Sequence, residues 1–149
     1  WVFLAVSLFF YSIGKLFFSI KFSHKEDFNI LRLIPFSIIL FAYIFLLIGF
    51  IYKENDMFFT AALLSFFFTL LIFQFAFLRK GVFSLKSYNY VFFGVMLYLV
   101  SESIMAIKTF KQAIPFQDTI IMVVYGIAIY LIVMGIVFEK DTSISNKLA

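Results

Sequence analysis

The 149-residue sequence contains no cysteine, a single histidine and only two prolines. The missing thiol excludes a disulfide framework, thiolate catalysis and any cysteine-based metal centre. His24, in the charged stretch "KFSHKEDFN", has no ligand set around it, so no metal and no other cofactor is expected. No Walker loop, zinc spacing or Ser–His–Asp set occurs. Charge is scarce as well. Asp, Glu, Lys and Arg make up 13% of the chain, about half of what a soluble domain carries. The net charge of +4 is small. Basic residues at membrane edges account for it, so no nucleic-acid partner is expected.

Apolar residues fill the space, at 64% of the chain and a mean hydropathy of +1.09. So little polar surface cannot cover a globular core, which leaves an integral membrane protein as the fitting class. Twenty-five phenylalanines, and lysine preferred over arginine, read as lipid-facing bulk and coding bias.

Five apolar runs have spanning length, about 20 residues each. They cover 1–22 (interrupted by Lys15), 33–52, 57–78, 88–107 (containing Glu102) and 119–138. The pieces between them hold nearly all the charge. The runs are continuous rather than alternating, and a barrel strand would need only about 10 residues. The expected fold is therefore all-α: a polytopic transmembrane helix bundle with five spans, forming a single domain over 1–149. Pro35 is expected in the first turn of the second span, where proline is tolerated. Asp118 suits the N-cap or first turn of the fifth. Trp1, Tyr52, Tyr88 and Tyr90 sit at run ends and read as interfacial belt residues.

The first residue, Trp1, already lies in an apolar run with no signal peptide before it, which reads as a segment with further helices upstream. Eight basic residues (Lys21, Lys25, Arg32, Arg79, Lys80, Lys86, Lys140, Lys147) fall on one side of the five-span layout. Lys53, Lys108 and Lys111 fall on the other. Positive-inside bias puts the C-terminus in the cytoplasm.

Two charges lie within the spans. Glu102, between Ser101 and Ser103, would cost on the order of 3 kcal/mol or more if it faced lipid, so it is expected to face the bundle interior or water. Gly94, Tyr98, Ser101, Met105 and Thr109 form a small and polar stripe beside it. Away from cations, burial keeps a carboxyl protonated, and a neutral buried acid is a general acid. The alternative is an acid that hydrogen-bonds a neighbouring helix as structural glue. Lys15 is expected to snorkel to the membrane edge. The other possibility is a pair with Glu102, although residue counting separates their levels by roughly 12 Å. Such a pair would make Glu102 a base rather than an acid. Gln74 is placed to hydrogen-bond across helices. Tyr43, Tyr98, Tyr125 and Tyr130 are available to bond a headgroup, an intermediate or each other.

The run "FFGVMLYLVSESIMAIKTFKQAIPF", followed by "MVVYGIAIY", resembles the last two helices of the YhhN-type lysoplasmalogenases. Gly94, Ser101, Glu102, Ser103, Ala106, Phe110, Tyr125 and Ala128 carry the resemblance. "FLAVSLFFYSIGKLFFSIKF" and "LRLIPF" resemble earlier helices of the family. Where the family has Asp, His and Gln, this chain has Glu102, Lys15 and Ile129, and the family's Gly-Asp motif does not occur. Members run to about eight helices. The resemblance thus implies the C-terminal part of an eight-helix protein, in a bacterial inner (plasma) membrane.

The resemblance also implies an activity: hydrolysis of the vinyl ether of lysoplasmalogen-type lipids, with a lysophospholipid substrate as the partner. Glu102, Ser101 and Lys15 are the expected catalytic residues, and Tyr98, Tyr125 and Gln74 the expected substrate contacts. Lys15 or the cytoplasmic-edge lysines would hold the phosphate. The alternative is a non-catalytic lipid-binding or structural protein of the same fold. A transporter relaying a proton through Glu102 is a weaker third reading, because no pair of broken helices supports it.

Overall fold

The computed structural model describes residues 2–23, 30–52, 57–111 and 115–145. Five helices account for nearly all of them: α1 (Val2–Phe22), α2 (Ile30–Ile51), α3 (Met57–Leu78), α4 (Leu85–Phe110) and α5 (Gln117–Ser145). Each coincides with one expected span, and no β-strand occurs among the described residues. Three stretches, Leu33–Ile51, Leu85–Phe110 and Gln117–Glu139, are long and apolar enough to cross a membrane. A shorter apolar stretch, Ala62–Leu78, lies in α3. The architecture is an all-α polytopic bundle, as an integral membrane protein requires. Trp1, His24, Lys25, Lys53 and Lys147 lie outside the described residues.

Local chemistry sets the helix ends. The Ser84 side chain accepts the Ser87 N–H at 3.2 Å and so starts α4 at Leu85. The tight α3–α4 turn before it needs Gly81, at φ +101° in the left-handed region. Asp118 lies in the first turn of α5, as expected, and also takes the Lys108 ammonium from the last turn of α4. The second helix departs from expectation. It begins at Ile30, so Pro35 lies in its second turn rather than its first. Proline has no N–H for the carbonyl of Leu31, yet the helix continues because packing holds it there. Phe36, the next residue, stacks on Phe77 (centroids 4.1 Å apart) and meets Phe73 edge-on at 5.3 Å.

The helices alternate in direction. Lys21 at the end of α1, Arg79 just after α3 and Glu139 in the last part of α5 meet at one end. Phe59 of α3 and Phe110 of α4 meet edge-on at the other, 5.8 Å apart. The third helix is central and packs against α1, α2 and α4. Its Phe66, Leu70, Phe73 and Ala76 join Val91, Val95 and Leu99 of α4 in the core. The tightest pair is α4–α5. A Cβ on Gly94 would lie 2.9 Å from the Ala128 carbonyl oxygen, and one on Gly135 2.9 Å from the Val91 nitrogen. Small residues are what let two membrane helices approach so closely. Tyr88 belongs to the same inward-facing surface: it is buried and stacks on Phe92, so it is not the belt residue its position suggests. Tyr52 stays exposed at the end of α2.

The first helix stands apart from the α4–α5 pair. Among the described residues its backbone packs against α3 alone and approaches neither α4 nor α5. Long side chains bridge that separation, and they form the candidate site.

Candidate functional site

Three polar or aromatic pairs, each spaced i, i+4 on a different helix, converge on one point. They are Tyr11/Lys15 of α1, Ser65/Thr69 of α3 and Tyr98/Glu102 of α4. This spacing stacks both members of a pair on one face of a helix. Lys15 is 0% exposed and Glu102 7%. The Lys15 ammonium donates to Glu102 Oε1, to the Ser65 hydroxyl (2.6 Å) and to the Ser65 carbonyl (2.9 Å), which uses all three of its N–H groups. Ser65 Oγ donates to Glu102 Oε1 at 2.5 Å, and Thr69 Oγ1 bonds Oε2. Both carboxylate oxygens are therefore held.

This arrangement overturns two expectations. Lys15 does not snorkel: it points inward and pairs with Glu102. Glu102 is not remote from cations: the Lys15 ammonium lies against its carboxylate. The physical reason is one of cost. An unpaired charge in the apolar interior costs several kcal/mol, whereas ordering two long side chains costs about 2 kcal/mol each. The extended stems of lysine and glutamate cross the space that the α1 and α4 backbones leave between them.

An aromatic wall flanks the pair. The Lys15 ammonium lies 4.5 Å from the centroid of Tyr11 and 5.7 Å from that of Tyr98, within cation–π range. Tyr11 and Tyr98 stack at 5.8 Å and 10°. Tyr125 of α5 completes the group, 5.6 Å from Tyr98 and 6.4 Å from Tyr11. At 37% exposure, Tyr125 is where this wall reaches the surface.

Of the residues singled out in the sequence, Lys15, Glu102, Tyr98 and Tyr125 are thus brought together. Ser101 and Gln74 are not part of the cluster. The Ser101 hydroxyl donates to the Ile121 carbonyl of α5 at 3.2 Å, and the Gln74 amide donates to Ser37 Oγ of α2 at 3.1 Å. Ser103 accepts from Tyr43 (2.9 Å) and donates to the Leu99 carbonyl (2.7 Å). Tyr11, Ser65 and Thr69 are contributors that reading the sequence missed. Their only signal is the i, i+4 spacing with a charged or polar partner.

A family model, the YhhN family, matches residues 2–136. The chain belongs to the YhhN family. This is the lysoplasmalogenase family, so at that level the chain is a lysoplasmalogenase-like membrane protein. No curated protein and no solved structure matches it significantly. Set on these contacts, the YhhN resemblance gains meaning. Glu102, which carries the resemblance, and Lys15 are each other's partners. Gly94 and Ala128, which also carry the resemblance, are the close contact of α4 with α5.

A second charged group sits at the end where α1, α3 and α5 meet. Arg79, 1% exposed, donates to Glu139 at 3.3 Å and to Ser87 Oγ at 3.4 Å. Lys21 reaches the other oxygen of Glu139 at 3.5 Å. Burial lowers the pKa of the Arg79 guanidinium, and the Glu139 carboxylate opposes that shift. Arginine stays charged in either case. This group ties helix ends together, apart from the Lys15–Glu102 cluster.

Proposed function

We propose that this protein is an integral membrane hydrolase that cleaves the vinyl ether of lysoplasmalogen-type lipids. The observation that supports the reading is the buried Lys15–Glu102 pair beside three tyrosines, in a chain of the YhhN family. Enol ether hydrolysis starts when a proton is delivered to the β-carbon. Water then adds to the oxocarbenium carbon, and the hemiacetal collapses to a fatty aldehyde and a free glycerol hydroxyl. The protein must supply an acid, a means of positioning water and an apolar place for the chain.

Lys15 and Glu102 together hold the proton to be delivered. Once it has left, the pair can take one from the incoming water, and so it acts as acid and then as base. Tyr98 and Tyr125 border the reacting carbons and offer hydroxyls to the oxygen. The basic residues at the cytoplasmic edge, rather than Lys15, hold the phosphate, because every donor of Lys15 is already engaged within the protein. The protein lies in a bacterial plasma membrane with its C-terminus in the cytoplasm.

The same engagement favours a second reading. A carboxylate and an ammonium satisfied wholly by protein groups also describe a structural staple in a non-catalytic, lipid-binding relative. Purified protein supplied with an alkenyl-lysophospholipid decides between them. The hydrolase releases aldehyde, and Glu102→Gln abolishes the release. A folded wild type that yields no aldehyde leaves the structural reading.

A further inference from the structure

The hydroxyl of Thr69 has one proton and two acceptors. It lies against Glu102 Oε2 and is 3.2 Å from the carbonyl oxygen of Ser65, one turn back on α3. It can serve only one at a time. When Glu102 is a carboxylate, Thr69 donates to Oε2. When Thr69 turns to Ser65, its oxygen presents lone pairs to Oε2, and that contact is favourable only if Oε2 itself carries a proton and donates it. The back-bond from threonine to the i−4 carbonyl is an ordinary conformation of this side chain in a helix, so the turn needs no backbone movement.

Ser65 has the same ambivalence. Its hydroxyl accepts from the Lys15 ammonium at 2.6 Å and donates to Glu102 Oε1 at 2.5 Å. If Lys15 becomes an amine, the Ser65 proton turns to the amine lone pair, and an amine N–H keeps the contact with Oε1. In one arrangement, Lys15 holds three protons, Glu102 none, and Ser65 and Thr69 both donate to the carboxylate. In the other, Lys15 holds two, Glu102 Oε2 holds one, Ser65 donates to the amine and Thr69 to its own helix. Protons balance between the two, and every polar atom is bonded in both. The reversal of Thr69 alone also allows Oε2 to take an outside proton while Lys15 stays an ammonium. A buried polar network left half-satisfied is costly, so one that is complete in either state lowers the cost of moving the proton.

We propose that Thr69 is a positioning residue: by turning between Glu102 and the Ser65 carbonyl, it lets Glu102 Oε2 gain and lose a proton with no hydrogen bond left unmade, and Ser65 does the same for Lys15. The consequence for catalysis rests on the hydrolase reading above. The proton-holding itself does not, and it is measurable in the absence of substrate. The ionisable groups that face Glu102 are Lys15 and Tyr11 from α1 and Tyr98 from α4, with Tyr125 of α5 packed against the two tyrosines. Tyr43 of α2 reaches Ser103, and among the described residues α3 contributes the hydroxyls of Ser65 and Thr69.

The test is infrared difference spectroscopy of the purified protein in detergent, titrated with acid across the range in which it stays folded. Wild type is expected to show the carbonyl band of a protonated carboxylic acid that is absent in Glu102→Gln. In Thr69→Val, the band is expected at higher frequency, because the acid proton has lost its acceptor. Thr69→Ser, which keeps the hydroxyl, restores the wild-type position. If the protein releases aldehyde, Thr69→Val also lowers kcat about tenfold or more at unchanged KM, and Thr69→Ser recovers most of it. A band in Thr69→Val at the wild-type frequency, or no Glu102-dependent band in wild type at any pH, overturns the proposal. Absence of aldehyde with the band present refutes the hydrolase and leaves the proton site standing.

Discussion

Removing one charge of the buried pair should harm the fold more than removing both. In Lys15→Met, Glu102 stays buried with Ser65 and Thr69 as donors but no cation. Breaking a buried pair on one side costs about 3–5 kcal/mol. Each remaining charge-assisted hydrogen bond is worth about 1.5–3 kcal/mol and keeps the loss near the lower end. In Glu102→Gln, the ammonium retains Ser65 Oγ and the Ser65 carbonyl and can still donate to the amide oxygen, so the expected loss is smaller, about 2 kcal/mol. The double variant Lys15→Met/Glu102→Gln leaves no charge in the core. It should fall within about 1–2 kcal/mol of wild type, since neutral residues of similar size commonly replace a buried pair at little cost. The coupling energy is then about 3 kcal/mol, at the upper end for residues in contact. Thermal unfolding of purified protein in detergent reads this as a drop of about 10 °C for Lys15→Met that the second substitution largely reverses. If the two single losses simply add, Lys15 and Glu102 are not partners in the folded protein, and the site has been built on a contact that does not exist.

Three further substitutions probe the frame around the site. Gly135→Ala should cost about 1–3 kcal/mol, because its Cβ would lie 2.5 Å from Val91 Cγ2 and 3.0 Å from the Ser87 carbonyl; equal stability of the variant would mean that α4 and α5 are farther apart than described. Glu139→Gln leaves the buried Arg79 without its counter-charge and should destabilise by about 3 kcal/mol, whereas Lys21→Gln, at an exposed ammonium, should cost well under 1 kcal/mol, as the same unfolding measurement checks. Lys108→Gln removes a surface contact with Asp118 and should change stability by less than about 1 kcal/mol. A larger effect would show that this pair, and not close packing, holds the α4–α5 hairpin.

The helices were legible because nothing but a membrane accommodates such apolar runs. Their ends were less so, since they depend on a cap such as Ser84 or on an aromatic stack around Phe36 rather than on hydropathy. Glu102 stood out as a charge among apolar residues. Lys15 stood out as well, and pairing with Glu102 was one of two readings; the choice between them was not legible, because counting residues along straight spans fixes levels, not the lateral gap that two long side chains can close. Serine and threonine are unremarkable in membrane helices, so Ser65 and Thr69 carried no signal alone. The signal lay in repetition: Tyr11/Lys15, Ser65/Thr69 and Tyr98/Glu102 share one spacing on three helices. Ser101 and Gln74 attracted notice for the same polarity, but their faces of α4 and α3 lead to α5 and α2.

The central claim is that a proton passes from the Lys15–Glu102 pair to the β-carbon of a vinyl ether. Hydrolysis of an alkenyl-lysophospholipid by purified protein in heavy water, with mass analysis of the aldehyde, tests it most directly. The account predicts one deuterium on the carbon next to the aldehyde carbon of each product molecule, and none of this product from Glu102→Gln. Aldehyde formed equally fast by Glu102→Gln, or no aldehyde from folded wild type, would contradict it.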